Sequence, residues 1–180
     1  MSIITERTTP QRLGAPAPDT TTIARAIEAA EAAPDHGRLK PWRFIVIEQQ
    51  GLPAFGQLMA EALLQREPTA SAEAVEKERN KPLRTPLIIV VAVEVVPGRI
   101  PEYEQILAGG AAAQNLQLAF HAEGFGVQWK TGAPTFDIHV KAGLGLKAAD
   151  HIIGFMYVGT ITEAGRPRSP HDGSRIRHWP

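Results

Sequence analysis

Apolar positions change period along the chain, and those changes divide it into elements. Between 20 and 33, Ile23, Ile27 and Ala30 fall on one helical face, with Arg25, Glu28 and Glu31 off it. Asp19 stands where a side-chain oxygen can accept from first-turn N–H groups, and Pro34 forbids continuation. The β-branched run at 43–48 (RFIVIE) predicts a strand. Over 52–66, Phe55, Met59 and Leu63 recur at every fourth position with Leu58 beside them, which predicts a second helix. A polar, Glu-rich helix is predicted over 70–81, ending near Pro82. Residues 86–96 (PLIIVVAVEVV) are apolar on both faces for most of their length, as a central buried strand is. A long, nearly uncharged helix is predicted over 103–122, with a small-residue face at Gly109-Gly110 and the alanines that follow. Glycine costs about 1 kcal/mol against alanine in a helix, so the pair implies close backbone approach. A helix apolar all round has to be buried, in its own domain or by a second subunit. A strand at 125–130, a short helix at 136–144 and a final strand at 151–158 complete the pattern. Residues 14–18 and the tail after Thr160 read as loops. Alternating helices and about four strands predict an α+β or α/β fold, without revealing strand order.

Composition narrows the picture. The length of 180 residues suits one domain, with 43% apolar residues to fill a core. Lys+Arg and Asp+Glu each number 19, so the formal net charge is zero, which removes the usual electrostatic case for nucleic acid or an anionic membrane as partner. The chain has no cysteine, which excludes disulfides, zinc–thiolate sites, iron–sulfur clusters and cysteine nucleophiles. Its start lacks the basic and long apolar regions of a signal peptide. The longest apolar run, 87–93, falls far short of the roughly 20 residues of a membrane span. A soluble, cytoplasmic protein is the expectation.

Familiar catalytic signatures are absent. Ser2, Ser71, Ser169 and Ser174 are the only serines, and none sits in G-x-S-x-G. The histidines show no H-x-x-x-H or H-E-x-x-H spacing. Residues 143–148 match G-x-G-x-x-A, but they follow a helical segment, where a helix end and turn is the better account. No Walker A sequence is present. Hydrolytic and metal-dependent machinery is therefore not in view, and no side chain is assigned as a catalytic residue.

Three segments carry other chemistry, each with a plain alternative. Arg7-Thr8-Thr9, before Pro10, can bind a phosphate through a guanidinium fork and hydroxyl donors, or can be a surface arginine and helix-ending threonines. Pro34-Asp35-His36, leading to Pro41-Trp42-Arg43-Phe44, is a stiff loop that can present hydrogen-bond groups, or a turn with Trp42 as a core anchor. Residues 124–132 (GFGVQWKTG) run from a helix end through a strand to Gly132. That glycine lets backbone approach a flat ligand, and Lys130 can put positive charge beside an anionic ring. The alternative is an ordinary helix–strand–turn.

Together, in this order and at these spacings, the segments resemble the nitroreductase family of FMN enzymes, in its short single-domain bacterial branch. Further carriers are Arg12-Leu13, Ala15-Pro16, Arg79-Asn80 before Pro86, and 154–159 (GFMYVG). The resemblance covers about residues 3–160. It implies an α+β, three-layer fold with a central mixed sheet flanked by helices, and an intertwined homodimer. It also implies a domain over 1–160 and a C-terminal arm over 161–180 that embraces the partner. Arg7 and Thr9 would hold the FMN phosphate and ribityl chain, with Thr8 supplying backbone. Pro34, Asp35 and His36 would come from the other subunit. Trp129, Lys130, Thr131 and Gly132 would line the ring, with a backbone N–H at Thr131 or Gly132 facing flavin N5. Arg166 or Arg168 would add a phosphate contact. Electrons would pass from NADH or NADPH through FMN to a nitroaromatic or quinone in ping-pong fashion, which explains why no triad or metal set is visible.

The chain also departs from its relatives. Larger members carry a lysine at the flavin pyrimidine end where this chain has Gln11, and Lys130 is the candidate substitute for that charge. The usual loop before Pro41-Trp42 is replaced by 35–40 (DHGRLK), so substrate specificity does not carry over. Alternatives are a dimeric binding module with a decayed flavin site, and a flavin enzyme of the same fold doing dehalogenation or enone reduction.

Overall fold

The apolar run at 87–93 forms the centre of the molecule. The computed structural model describes residues 2–167, 169 and 173–179. In it β3 (Leu87–Val93) is buried along its whole length. Its alternate residues serve two cores, as the two-residue strand period requires. Leu87, Ile89 and Val91 pack with α2 (Thr20–Glu31) and α5 (Glu102–Ala122), through Ile23, Ala26, Ala112, Leu116 and Phe120. Ile88 and Val90 pack with α3 (Leu52–Arg66) through Phe55, Met59 and Ala62. The result is three layers, helices on both faces of one sheet, and an α+β fold.

The sheet is built on β5 (His151–Glu163), the longest strand at 13 residues. One edge of β5 pairs with β3, Leu87 opposite Val158 and Val93 opposite His151. Past the end of β3 the same edge takes β1 (Arg12–Gly14). The other edge takes β4 (Phe125–Lys130). The outer edge of β3 pairs with β2 (Trp42–Glu48). All four pairings are antiparallel, which corrects the expected mixed sheet. Here β2 and β3 are joined through two helices, α3 and α4 (Ala72–Asn80), so the chain re-enters at the end it left, with Glu48 opposite Leu87.

Helix ends follow the chemistry of their caps. Asp19 Oδ1 accepts from the Thr22 N–H at 2.7 Å, and Ser71 Oγ accepts from the Ala74 N–H at 3.2 Å. The small-residue face of α5 works as expected at one glycine only. A Cβ on Gly109 would lie 2.4 Å from Val93 Cγ2, whereas one on Gly110 would meet open space. The tail after Thr160 is not loop at first, because β5 continues to Glu163 against β1. The short first helix implied by helix-ending threonines at 8 and 9 is α1, Ser2–Glu6, whereas β1 has no counterpart in the sequence pattern. No described helix is long and apolar enough to cross a membrane.

Asp137 starts α6 (Ile138–Gly143) and fixes the turn that follows β4. Its Oδ1 accepts from the His139 and Val140 N–H groups at 2.8 and 3.1 Å. Its Oδ2 pairs with Arg66 of α3. Burial pushes its carboxyl up, but the Arg66 bond and the two N–H bonds outweigh this and hold it below the ordinary value. Asp137→Ala should therefore cost about 1–3 kcal/mol in denaturant unfolding near neutral pH, from a lost cap and a stranded arginine. The depressed folded-state pKa places this contribution above the ordinary carboxyl range and removes it as pH falls through the folded value. The gap between wild type and variant should close in acid.

Candidate functional site

The chain before β1 is threaded between β4 and the far end of β5. The Gln11 N–H donates to the Glu163 carbonyl at 3.0 Å, and Arg12 Nε pairs with the Glu163 carboxylate at 3.0 Å. From β4, Gln128 Nε2 donates to the carbonyls of Pro10 and Gln11 at 2.9 and 3.0 Å. Two glycines make the close approach possible. A Cβ on Gly126 would stand 2.7 Å from Leu13 Cδ2 and 2.9 Å from Pro10 Cγ, and one on Gly165 would stand 2.0 Å from the Thr9 carbonyl oxygen.

Beside this segment opens a cavity of about 670 Å³, within the roughly 300–1,000 Å³ of small-molecule sites. Leu13, Met59, Pro134 and Phe155 give it apolar surface, and Gln11, Gln128, Thr131, Thr162 and Tyr157 give it polar groups. Charge comes from Arg12, Lys81, Arg84 and Lys130 against one carboxylate, Glu78. Arg12 is engaged by Glu163 and Lys81 by Glu78. Tyr157 is 8% exposed. Burial first, and the Glu78 charge second, push its phenol up to about 12, with Arg84 pulling the other way. The phenol is therefore a neutral donor at physiological pH.

The expected site residues fall in three places. Lys130 and Thr131 line the cavity with Gln11, and Gly132 opens the adjoining turn at φ +114°, its carbonyl accepting from Thr135 Oγ1 at 2.8 Å. Arg7 and Thr8 line a separate recess of about 20 Å³ with Gln117 and His121, where Arg7 Nε and Nη1 are buried. Thr9 is exposed, and Gly165 packs on its carbonyl, which sets Arg166 one residue away. Pro34, Asp35 and His36 do not reach the cavity within the protomer. Asp35 Oδ2 accepts from the Lys40 N–H at 2.6 Å, and His36 pairs with Glu104 of α5. Trp129 does not line the cavity. It packs against the core shared with α5, lies across Gly154, and donates from Nε1 to the Ile153 carbonyl at 3.0 Å. Arg168 lies outside the described residues. The G-x-G-x-x-A match is the end of α6, with Gly145 at φ +75° closing the turn.

Sequence reasoning did not single out Glu78, Lys81, Arg84 or Tyr157. The first three sit in and after a polar helix that looks like a solvated face, and Tyr157 sits in a strand that looks like core. No group of three or more metal-ligating side chains occurs among the described residues.

The five-stranded sheet with helices on both faces has the nitroreductase fold. A nitroreductase-like family protein from Bacillus cereus superposes with a TM-score of 0.85 at 22% identity, over 99% of this chain and 94% of that one. A protein from Desulfovibrio desulfuricans, described as a "putative nitroreductase in complex with fmn", superposes at 0.77 with 20% identity, over 99% and 95%. The nitroreductase family model matches residues 4–160, and the chain belongs to that family. It is 34% identical over 161 residues to the "Putative NAD(P)H nitroreductase YdjA" of Escherichia coli K12, covering 89% of this chain and 87% of the relative. A Haemophilus influenzae protein named "Putative NAD(P)H nitroreductase" is 33% identical over 165 residues, covering 91% and 89%.

The Gln128 amide ties the site's two sides together. Gln128→Ala should release the carbonyls of Pro10 and Gln11, worth about 1–3 kcal/mol together. Amide exchange of residues 7–14 should accelerate while β3 stays protected.

Proposed function

We propose that the protein is an FMN-dependent oxidoreductase that passes electrons from NADH or NADPH to a small organic acceptor, of nitroaromatic or quinone type. The observation that carries this is the division of the cavity wall. Leu13, Met59 and Phe155 offer apolar surface for a flat ring. Gln11, Lys81, Lys130 and Tyr157 offer donors for the acceptor-rich edge of such a ring. The residues present therefore fit the group that the family implies. Bound FMN supplies reversible two-electron chemistry. The protein's own part is to hold, shield and tune. Lys130, which lines the cavity, favours negative charge at the ring edge and answers the loss of charge at Gln11. Tyr157 donates without carrying charge. Arg7, Thr8 and Thr9, with Arg166 and Arg168 from the tail, are the proposed phosphate side, and Thr131-Gly132 the proposed backbone contact to the ring.

A homodimer belongs to the proposal. Pro34, Asp35 and His36 do not line their own cavity, and in the proposal they serve the partner's instead. Exposed apolar side chains on α5 (Tyr103, Leu107) and around α6 (Phe136, Ile138) support an interface. The flavin domain of the proposal runs through the end of β5 at Glu163, and the chain beyond it is the proposed embracing arm. A second reading, a binding module that has lost flavin, draws on Gln11 and on the burial of Arg7 Nε and Nη1.

Purified protein should be yellow, bleach with NAD(P)H in the absence of oxygen, and recover its colour with a quinone. Protein that stays colourless with added FMN would establish the binding module instead. Arg7→Ala should weaken FMN binding about 10–100-fold, from loss of a charge-assisted contact of roughly 1.5–3 kcal/mol. Flavin fluorescence titration reads this, and an unchanged affinity would assign the phosphate to other groups. Sedimentation of dilute holoprotein as a stable monomer would contradict the shared site.

A further inference from the structure

One group in the cavity wall has no part in the chemistry proposed above. Glu78 is 8% exposed, and its side chain forms an ion pair with Lys81. The backbone fixes the pair as well, since the Lys81 N–H donates to the Glu78 carbonyl at 3.2 Å. Pro82 then ends the helical course and starts the Pro82–Arg84 turn. Both side chains line the cavity. A carboxylate buried this deeply is tolerable only when paired, so the Lys81 ammonium is held at the wall rather than free to extend into solvent. The same pairing cancels most of its charge there. The side chains of the remaining cations, Arg84 and Lys130, have no hydrogen-bond or ion-pair partner among the described residues, while Arg12 is engaged by Glu163. Tyr157 lines the same cavity, and after burial the Glu78 charge is the second influence holding its phenol up.

We propose that Glu78 is a positioning residue: it holds Lys81 against the ring site and, by offsetting the Lys81 charge, sets how strongly the cavity favours the reduced, negatively charged form of bound FMN. The inference rests on FMN occupying this cavity. A flavin ring gains negative charge on reduction, and a fixed anion in a low-dielectric wall opposes that gain. Removing Glu78 while keeping Lys81 leaves the wall more positive, and the reduced form is favoured.

The experiment compares Glu78→Gln, Lys81→Gln and the double variant as FMN-loaded protein, with midpoint potential and FMN affinity as readouts. Glu78→Gln should shift the oxidised–reduced equilibrium at least tenfold toward the reduced form, about 30 mV upward for a two-electron couple. Lys81→Gln should shift it downward, and the double variant should return toward wild type. A purely structural role would instead weaken FMN binding in both single variants and move both potentials the same way. An unchanged or lowered potential in Glu78→Gln overturns the proposal, and that variant decides alone if Lys81→Gln yields too little folded protein. A second arm needs no FMN. The chain has two tyrosines, and Tyr103 is 68% exposed, so the phenol that titrates late in tyrosinate absorbance is Tyr157. Glu78→Gln should bring that titration down. If the protein takes up no flavin, the oxidoreductase reading fails, while a lowered Tyr157 titration still supports the cavity field assigned to Glu78. A titration unmoved by the substitution overturns that assignment whatever the flavin does.

Discussion

The length of β5 is the constraint on which the site depends. Its first part lies between β3 and β4, with Val158 opposite both Leu87 and Val127. There β3 stops. Pro86 offers no N–H, and Thr85 Oγ1 turns to donate to the Val158 carbonyl at 2.6 Å. The strand runs on for five more residues, and its edge would present unsatisfied N–H and C=O groups if nothing covered it. The N-terminal chain covers it as β1. Gly159 permits the crossing, since a Cβ there would stand 2.8 Å from the Gly14 carbonyl oxygen and 2.9 Å from Pro86 Cδ. Once Arg12–Gly14 is pinned, Pro10 and Gln11 necessarily lie next to Gln128, and the cavity forms in the angle between them. Completing a sheet edge and building a ligand site are thus one structural event.

Elements that bury a regular stripe were legible in the amino-acid sequence. The helix at 52–66 has the bounds that Phe55, Met59 and Leu63 imply, and the run at 87–93 is central for the reason its two apolar faces suggest. Elements that depend on a distant partner were not. The three residues of β1 carry no period, and their partner lies at the other end of the chain. Sheet direction was misjudged because it depends on the end at which each connection returns the chain, which no local pattern records: β2 and β3 are joined through two helices, β4 and β5 through α6, and both pairs are antiparallel.

The site was legible in its backbone and less so in its side chains. Residues 124–132 do border the cavity, but the strand period divides them. Gln128 and Lys130 face the cavity, while Val127 and Trp129 face α5. Trp129 drew attention as an aromatic beside a glycine turn, yet its indole is occupied by Gly154 and the Ile153 carbonyl. Trp42 took the plainer of its two alternatives and is a core anchor, 4% exposed. Glu78 and Lys81 escaped notice for the opposite reason, because a Glu- and Lys-rich helix end looks like solvated surface until the tertiary fold turns one corner of it inward.

Zero net charge conceals a local imbalance that matters more for chemistry. The cavity wall gathers Arg12, Lys81, Arg84 and Lys130 around a single carboxylate, with a second, Glu163, reaching Arg12 from β5. Pairing cancels two of those cations and leaves two unopposed. Charges this close to a partly enclosed ligand act through a lower effective dielectric than the same charges on open surface, and salt screens them less. The molecule as a whole therefore has little long-range field with which to steer a charged substrate, while its cavity has a strong short-range preference for negative charge. That combination suits a site whose tightest ligand becomes more anionic after it is bound. Under the proposed function, affinity and redox preference are set by the same few residues.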